Sequence, residues 1–188
     1  MRIRTFSIAV TSLLTAICFL ALQGPHSMPV ALASRQVQAP RAEDVPQSCP
    51  VTKPSAHPFI PPAPYPAEPG SGSFWFGTEK LWTNLPTAGR WSGLPHYTPD
   101  DQTFRQKLFW WRQGYSVYRE PQPKLRITGK RLDSTAPPVL LADHASNGWQ
   151  QADQPFMVVG INIPSLGCWK ITGRYQDEEL NFVIWVTQ

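Results

Sequence analysis

The C-terminal end of the chain consists of two adjacent runs in which apolar residues recur at every second position. These positions are Trp169, Ile171 and Tyr175 in the first run and Leu180, Phe182, Ile184 and Val186 in the second. A period of two in runs rich in aromatic and β-branched residues is typical of half-buried strands. The pattern predicts a hairpin with strands over 168–175 and 180–187, joined by a polar turn at 176–179. We expect both apolar sides to face one core.

Five more strands are predicted upstream, over 74–76, 80–85, 107–112, 125–131 and 156–163. Clusters of Pro, Gly, Asp and Asn separate them, and residues 34–188 show no helical periodicity that lasts three turns. Seven short strands with turn residues between them are the pattern of an antiparallel sandwich. The sequence therefore predicts an all-β domain over 74–188.

The N-terminus has the features of an export signal. Arg2 and Arg4 precede an apolar run over 8–22, and Ala31-Leu32-Ala33 offers a cleavage site before Ser34. The run is about 15 residues long, shorter than the ~20 that span a bilayer. We predict a cleaved signal peptide over 1–33, with an uncleaved anchor as the alternative and no later membrane span. The expected location is secreted or extracytoplasmic, with attachment to the cell surface left open.

Residues 34–73 form a proline-rich arm before the domain. Ten prolines lie between Pro40 and Pro69, which is incompatible with a helix or a central strand. Such a segment is expected to be extended and polyproline-like, as a semi-rigid linker is. The alternative is that the arm is a ligand for a proline-binding module.

Charge excludes one class of partner. The full chain has 17 basic and 13 acidic residues, and loss of the signal peptide removes two arginines. The remaining net charge is small, and no stripe of Lys and Arg is present, so nucleic acid is not an expected partner.

Three segments carry a resemblance to a known family. They are Lys107–Arg112, Leu125–Asp133 and Gly167–Gly173, whose sequences are KLFWWR, LRITGKRLD and GCWKITG. Together they resemble motifs of a family of small secreted bacterial proteins, which are similar to immunoglobulin-like sandwiches and have no assigned activity. The resemblance implies an immunoglobulin-like antiparallel sandwich and brings no catalytic residue and no cofactor.

Cysteine chemistry allows two interpretations. Cys18 leaves with the signal peptide, so Cys49 and Cys168 remain as an even pair, and we predict a disulfide between them. In the alternative, Ser165–Cys168 resembles the S-H-G-C nucleophile motif of L,D-transpeptidases, which cross-link cell walls. Leu166 stands where that motif has histidine, and the immediate neighbours of Cys168, Gly167 and Trp169, are not groups that lower the pKa of a thiol. A cell-wall thiol enzyme that uses Cys168 is therefore the weaker alternative.

No metal site is predicted. Asp143-His144 is the only place where an acidic residue adjoins a histidine, and we interpret it as a surface loop, with a metal site as the weaker alternative.

Two adjacent tryptophans supply the candidate binding surface. Successive strand residues point to opposite faces, so one core face cannot hold both Trp110 and Trp111. We predict that one of them, with Arg112 and Tyr115, forms a recognition surface for stacking on sugar or aromatic rings. The structural alternative is that the loop over 114–124 covers it.

These observations predict a non-enzymatic secreted or surface-attached module. Its partner is unknown, and a cell-wall polysaccharide or another extracytoplasmic protein would suit it. The first alternative is a glycan- or wall-binding module, and the second is the thiol enzyme.

Overall fold

The computed structural model describes residues 44–96, 100 and 102–188, which form ten strands. The predicted signal peptide lies outside the described residues. Within them, no helix is long and apolar enough to cross a membrane. The strands are β1 Ser73–Thr78, β2 Leu81–Pro86, β3 Arg90–Trp91, β4 Phe104–Trp111, β5 Arg126–Arg131, β6 Val139–Ala142, β7 Ser146–Trp149, β8 Pro155–Ile163, β9 Gly167–Tyr175 and β10 Glu178–Val186.

The strands form two five-stranded sheets. Sheet one has the order β1-β2-β4-β8-β7, and sheet two has the order β3-β10-β9-β5-β6. Neighbouring strands are antiparallel except for the short parallel pair of β3 and β10. Strands β2, β4, β8 and β7 follow the A, B, E and D order of an immunoglobulin sandwich, and β10, β9, β5 and β6 follow G, F, C and C′. The predicted immunoglobulin-like all-β fold is confirmed.

All seven predicted strands are present, and the structure adds β3, β6 and β7. These three are two to four residues long, and β6 and β7 are edge strands. So short a run does not complete an alternation pattern, which is why the sequence did not predict them.

The terminal hairpin packs into the main core as predicted. Ile171 pairs with Phe182 and Trp169 pairs with Ile184, and all four side chains are buried. The turn is tighter than expected, because β9 ends at Tyr175 and β10 begins at Glu178.

Trp110 occupies the centre of this core. Its side chain is fully buried, and a Cβ added at Gly173 of β9 would lie 2.3 Å from its ring. Glycine at this position lets the indole of one sheet pack directly against the backbone of the other.

From residue 44 onward the proline-rich arm packs on the sandwich. Thr52 donates its backbone N–H to the Val183 carbonyl, and its hydroxyl oxygen accepts from the Val183 N–H, at the edge of β10. Further along, Phe59 and Tyr65 pack against Trp82 on the outer face of sheet one. This part of the arm therefore covers a sheet, which its composition did not predict.

Candidate functional site

The structure places Trp110 and Trp111 on opposite faces of sheet one, and both are buried. Trp110 lies in the main core with 0% exposure, and Trp111 has 5% exposure in a second cluster on the outer face. The prediction that one of these indoles is exposed for recognition is therefore wrong. The alternation was assigned correctly, but the segment that covers Trp111 is the proline-rich arm, and the loop over 114–124 lies elsewhere.

Arg112 and Tyr115 lie apart from Trp111, at the end of the terminal hairpin. The Arg112 guanidinium sits 5.8 Å from the centre of the Tyr175 ring and donates to the Gln176 side chain. Tyr115 is buried, and its hydroxyl donates to Asn147. Both side chains are thus occupied by neighbours within the domain, so the predicted four-residue surface does not form.

A tyrosine–carboxylate contact completes this end of the sandwich. The Tyr175 hydroxyl donates to Glu120 Oε2 at 2.6 Å, and Gln176 Nε2 donates to Glu120 Oε1 at 3.0 Å. Burial, then the Glu120 charge, raises the pKa of Tyr115 to about 12. Burial also raises the pKa of Tyr175, with the Glu120 hydrogen bond as the next cause. These tyrosines stay neutral at ordinary pH and hold the loop to the hairpin.

The predicted disulfide is present. Cys49 and Cys168 are bonded with their Cα atoms 5.6 Å apart, and both residues are buried. Because the Cys168 sulfur is bonded, it does not offer the thiolate that a transpeptidase mechanism requires. The structure therefore contradicts Cys168 as a nucleophile in this oxidised form.

The motif residues next to this disulfide hold the backbone in place. Arg131 Nε donates to Asp133 Oδ1 at 2.7 Å, and Asp133 Oδ2 accepts from the Cys168 N–H at 3.4 Å. The Arg131 hydrogen bond lowers the pKa of Asp133. Leu132 and Cys168 are further joined through their main chains at 2.7 Å. These contacts hold the start of β9 against the end of β5.

Asp143 and His144 form an ion pair at the surface. Both are exposed, and His144 Nδ1 lies beside Asp143 Oδ1. No group of three or more metal-ligating side chains occurs in the described part of the chain.

A pocket lies on the outer face of sheet one, between that sheet and the arm. We call it the arm pocket; its volume is about 270 Å³, and it is lined by Pro66, Pro69, Gly70, Trp75, Asn84, Phe109, Trp111, Gln150 and Phe156. The arm supplies the first three of these residues. None of the nine residues has a side chain that carries a charge or titrates, so the site suits a neutral ligand.

Aromatic rings form the wall of the arm pocket. Trp75 and Trp111 meet edge to face with ring centres 4.9 Å apart. Phe156 lies 5.6 Å from both Trp111 and Phe109. These contacts continue into a second core of Trp75, Trp82 and Trp111 beneath Phe59 and Tyr65 of the arm. Rigid packing of this kind fixes the position of the aromatic wall before a ligand arrives.

Two indole donors of the wall differ in their partners. Trp75 Nε1 donates to the Pro66 carbonyl at 3.0 Å. Trp111 Nε1 is buried and has no acceptor. A buried polar group without a partner costs roughly 1–3 kcal/mol, so this donor stands out among the lining residues.

The sequence contained a signal for this site that was missed. Phe109 and Trp111 alternate on the face of β4 opposite Leu108 and Trp110. A strand with bulky apolar residues on both faces is buried on both. The outer face of β4 therefore had to be covered by another segment, and the aromatic residues of the arm could provide that cover.

Comparisons with known proteins give little support for an assignment. No protein-family model matches this sequence, and no curated protein is significantly similar to it. A solved structure described as the "X-ray Crystal Structure of a Putative Lipoprotein from Bacillus anthracis" matches with a TM-score of 0.35 and 17% identity, covering 81% of this chain and 99% of that one. A TM-score this low does not establish a shared fold. The family resemblance inferred from the three motifs stays a prediction.

Proposed function

We propose that this chain is an extracytoplasmic, non-enzymatic binding module with an immunoglobulin-like fold, and that the arm pocket is its ligand site. The observation that carries the proposal is the pocket itself, in which four aromatic rings stand beside the neutral amides of Asn84 and Gln150. Ligand sites are commonly built in this way, from an apolar wall with a few polar groups that orient the ligand.

Two observations support the proposed extracytoplasmic location and the proposed non-enzymatic role. The buried Cys49–Cys168 disulfide is typical of proteins that fold in an oxidising compartment. The lining residues of the arm pocket include no nucleophile and no general acid or base. Both fit a protein that binds a molecule outside the cytoplasm without transforming it.

Cell-wall glycan binding is the second candidate function. Asn84 and Gln150 favour it, because amides can exchange hydrogen bonds with sugar hydroxyl groups while an aromatic ring packs on the sugar face. A glycan at the arm pocket would replace the exposed-tryptophan surface that the structure contradicts.

The test is a titration of the purified protein, followed by tryptophan fluorescence and calorimetry. The panel contains soluble peptidoglycan fragments, neutral oligosaccharides and proline-rich peptides. We expect saturable binding of one class, weakened in Asn84→Ala and Gln150→Ala. Asn162→Ala is the matched control, since Asn162 is exposed and follows Phe156 by six positions on β8, outside the pocket. Equal binding by all variants would contradict the proposal.

A further inference from the structure

We propose that the ligand of the arm pocket is a proline-rich peptide from another extracytoplasmic protein, with an uncharged proline core and basic residues beside it. This inference rests on the proposed function and names its ligand. It comes from the way the same face of sheet one already binds a proline-rich segment of this chain.

The arm is held on this face through the carbonyl groups of its prolines, next to a turn in which the Tyr65 N–H donates to the Pro62 carbonyl at 3.2 Å. Pro66 accepts from Trp75 Nε1 of sheet one at 3.0 Å, and Pro64 accepts from Nε2 of Gln154, just before β8, at 2.8 Å. The Tyr65 hydroxyl donates in return to the Pro155 carbonyl at 2.9 Å. Prolines lack an N–H, so a receptor for such a segment must read its carbonyl groups and rings.

Aromatic side chains of the arm add to these contacts. The Trp82 ring lies 5.7 Å from Phe59 and 5.3 Å from Tyr65, with the Tyr65 ring edge to face. Grooves lined by aromatic side chains are the usual receptors of proline-rich peptides, because the polyproline helix is extended before it binds and loses little entropy.

The arm pocket continues this interface. Pro66 and Trp75, which are joined by the hydrogen bond above, are both part of its lining. Trp111 extends the same aromatic row, and its indole N–H has no acceptor. A carbonyl of an incoming peptide would supply that acceptor after a small movement of the arm, as the Pro66 carbonyl does for Trp75.

The volume of the arm pocket and the charges near it restrict the class of ligand. A volume of about 270 Å³ is just below the roughly 300–1,000 Å³ of sites for larger molecules. It suits one or two pyrrolidine rings. The lining itself is neutral, but two acidic residues lie close to it in the sequence. Glu68 lies between Pro66 and Pro69, and Asp153 lies in the turn between Gln150 and Phe156. A proline-rich core with basic residues beside it therefore complements the site.

The direct test uses a decaproline peptide flanked by lysines, with a glycine–serine peptide of equal length and charge as the control. We expect the proline peptide alone to bind saturably, and more weakly at high salt because of the lysine contacts. Trp111→Phe keeps an aromatic ring but deletes the donor, and should weaken binding by up to about tenfold. Trp185→Phe is the matched control: its buried Nε1 also lacks an acceptor, but it lies on sheet two.

The outcomes separate this inference from the proposed function. If a neutral oligosaccharide binds instead, and Trp111→Phe or Asn84→Ala weakens it, the arm pocket is a binding site but the peptide inference is wrong. If the proline and glycine–serine peptides bind equally, the peptide inference is also overturned. Proline-peptide binding that no pocket variant changes would overturn both, as would the absence of binding across the whole panel.

Discussion

The two outer faces of this sandwich are built on similar strands and have opposite chemistry. On sheet one, Trp75, Trp82 and Trp111 point outward and are buried under the proline-rich arm. On sheet two, the corresponding outward positions include Lys170 and Arg174, which are exposed. On both sheets, the side chains at the alternate positions point inward into the same main core. The comparison shows that the composition of an outer face depends on whether another segment of the chain covers it.

The arm connects the two faces. Its Cys49 is bonded to Cys168 of sheet two, and the following residues reach the second core of sheet one. The arm pocket exists because this segment supplies one of its walls. A domain cut at residue 74 would have neither the cover nor the pocket.

Loss of the disulfide should have the largest effect on this arrangement. The two cysteines are 119 residues apart, and in the chain-entropy model a crosslink of that span contributes about 4–5 kcal/mol to the free energy of unfolding. We expect the Cys49→Ser/Cys168→Ser double variant to lose about that amount in urea unfolding followed by tryptophan fluorescence. Reductant should destabilise the parent and leave the double variant unchanged. Equal midpoints for the reduced and oxidised parent would contradict the expectation.

Removal of a covered tryptophan tests the second core. Trp82 is fully buried and contacts Phe59 and Tyr65, so Trp82→Ala should cost about 3–5 kcal/mol. Lys170→Ala on the exposed face is the matched substitution and should stay within about 0.5 kcal/mol of the parent. Chemical unfolding of both variants gives the comparison. Similar values for the two would mean that the arm does not stabilise sheet one.

Alkaline pH should loosen the arm by a smaller amount. Burial, then the charge of Asp153, raises the pKa of Tyr65 from 10.0 to about 12, which favours the neutral phenol in the folded state. The associated stability is fully present below the unfolded pKa and is lost as pH rises through about 12. At pH 8, Tyr65→Phe should cost about 1 kcal/mol through the lost Pro155 contact.

That difference between parent and Tyr65→Phe should shrink between pH 10 and pH 12, as measured by urea unfolding at each pH. Tyr118→Phe is the control, because Tyr118 is 91% exposed and should behave as the parent does at every pH. A constant difference for Tyr65→Phe across this range would show that the phenol titrates in the folded state as it does in the unfolded one.

The sequence by itself determined the elements with strong local patterns. Alternation over Trp169–Tyr175 and Leu180–Val186 specified the hairpin and the side of it that is buried, since the period of a strand fixes which side chains share a face. The even cysteine pair specified the disulfide, because two residues allow one pairing. Neither inference needed knowledge of distant contacts.

Tertiary structure alone decided what covers each face. The sequence placed Trp110 and Trp111 on opposite faces but did not show that the arm covers the cluster of Trp111, because the rings of Phe59 and Tyr65 that pack on this cluster lie about fifty residues before Trp111. It also did not show that Arg112 and Tyr115 turn away from the indoles toward Tyr175 and Asn147. The arm pocket is assembled from four separate parts of the chain, and no local pattern describes such a site.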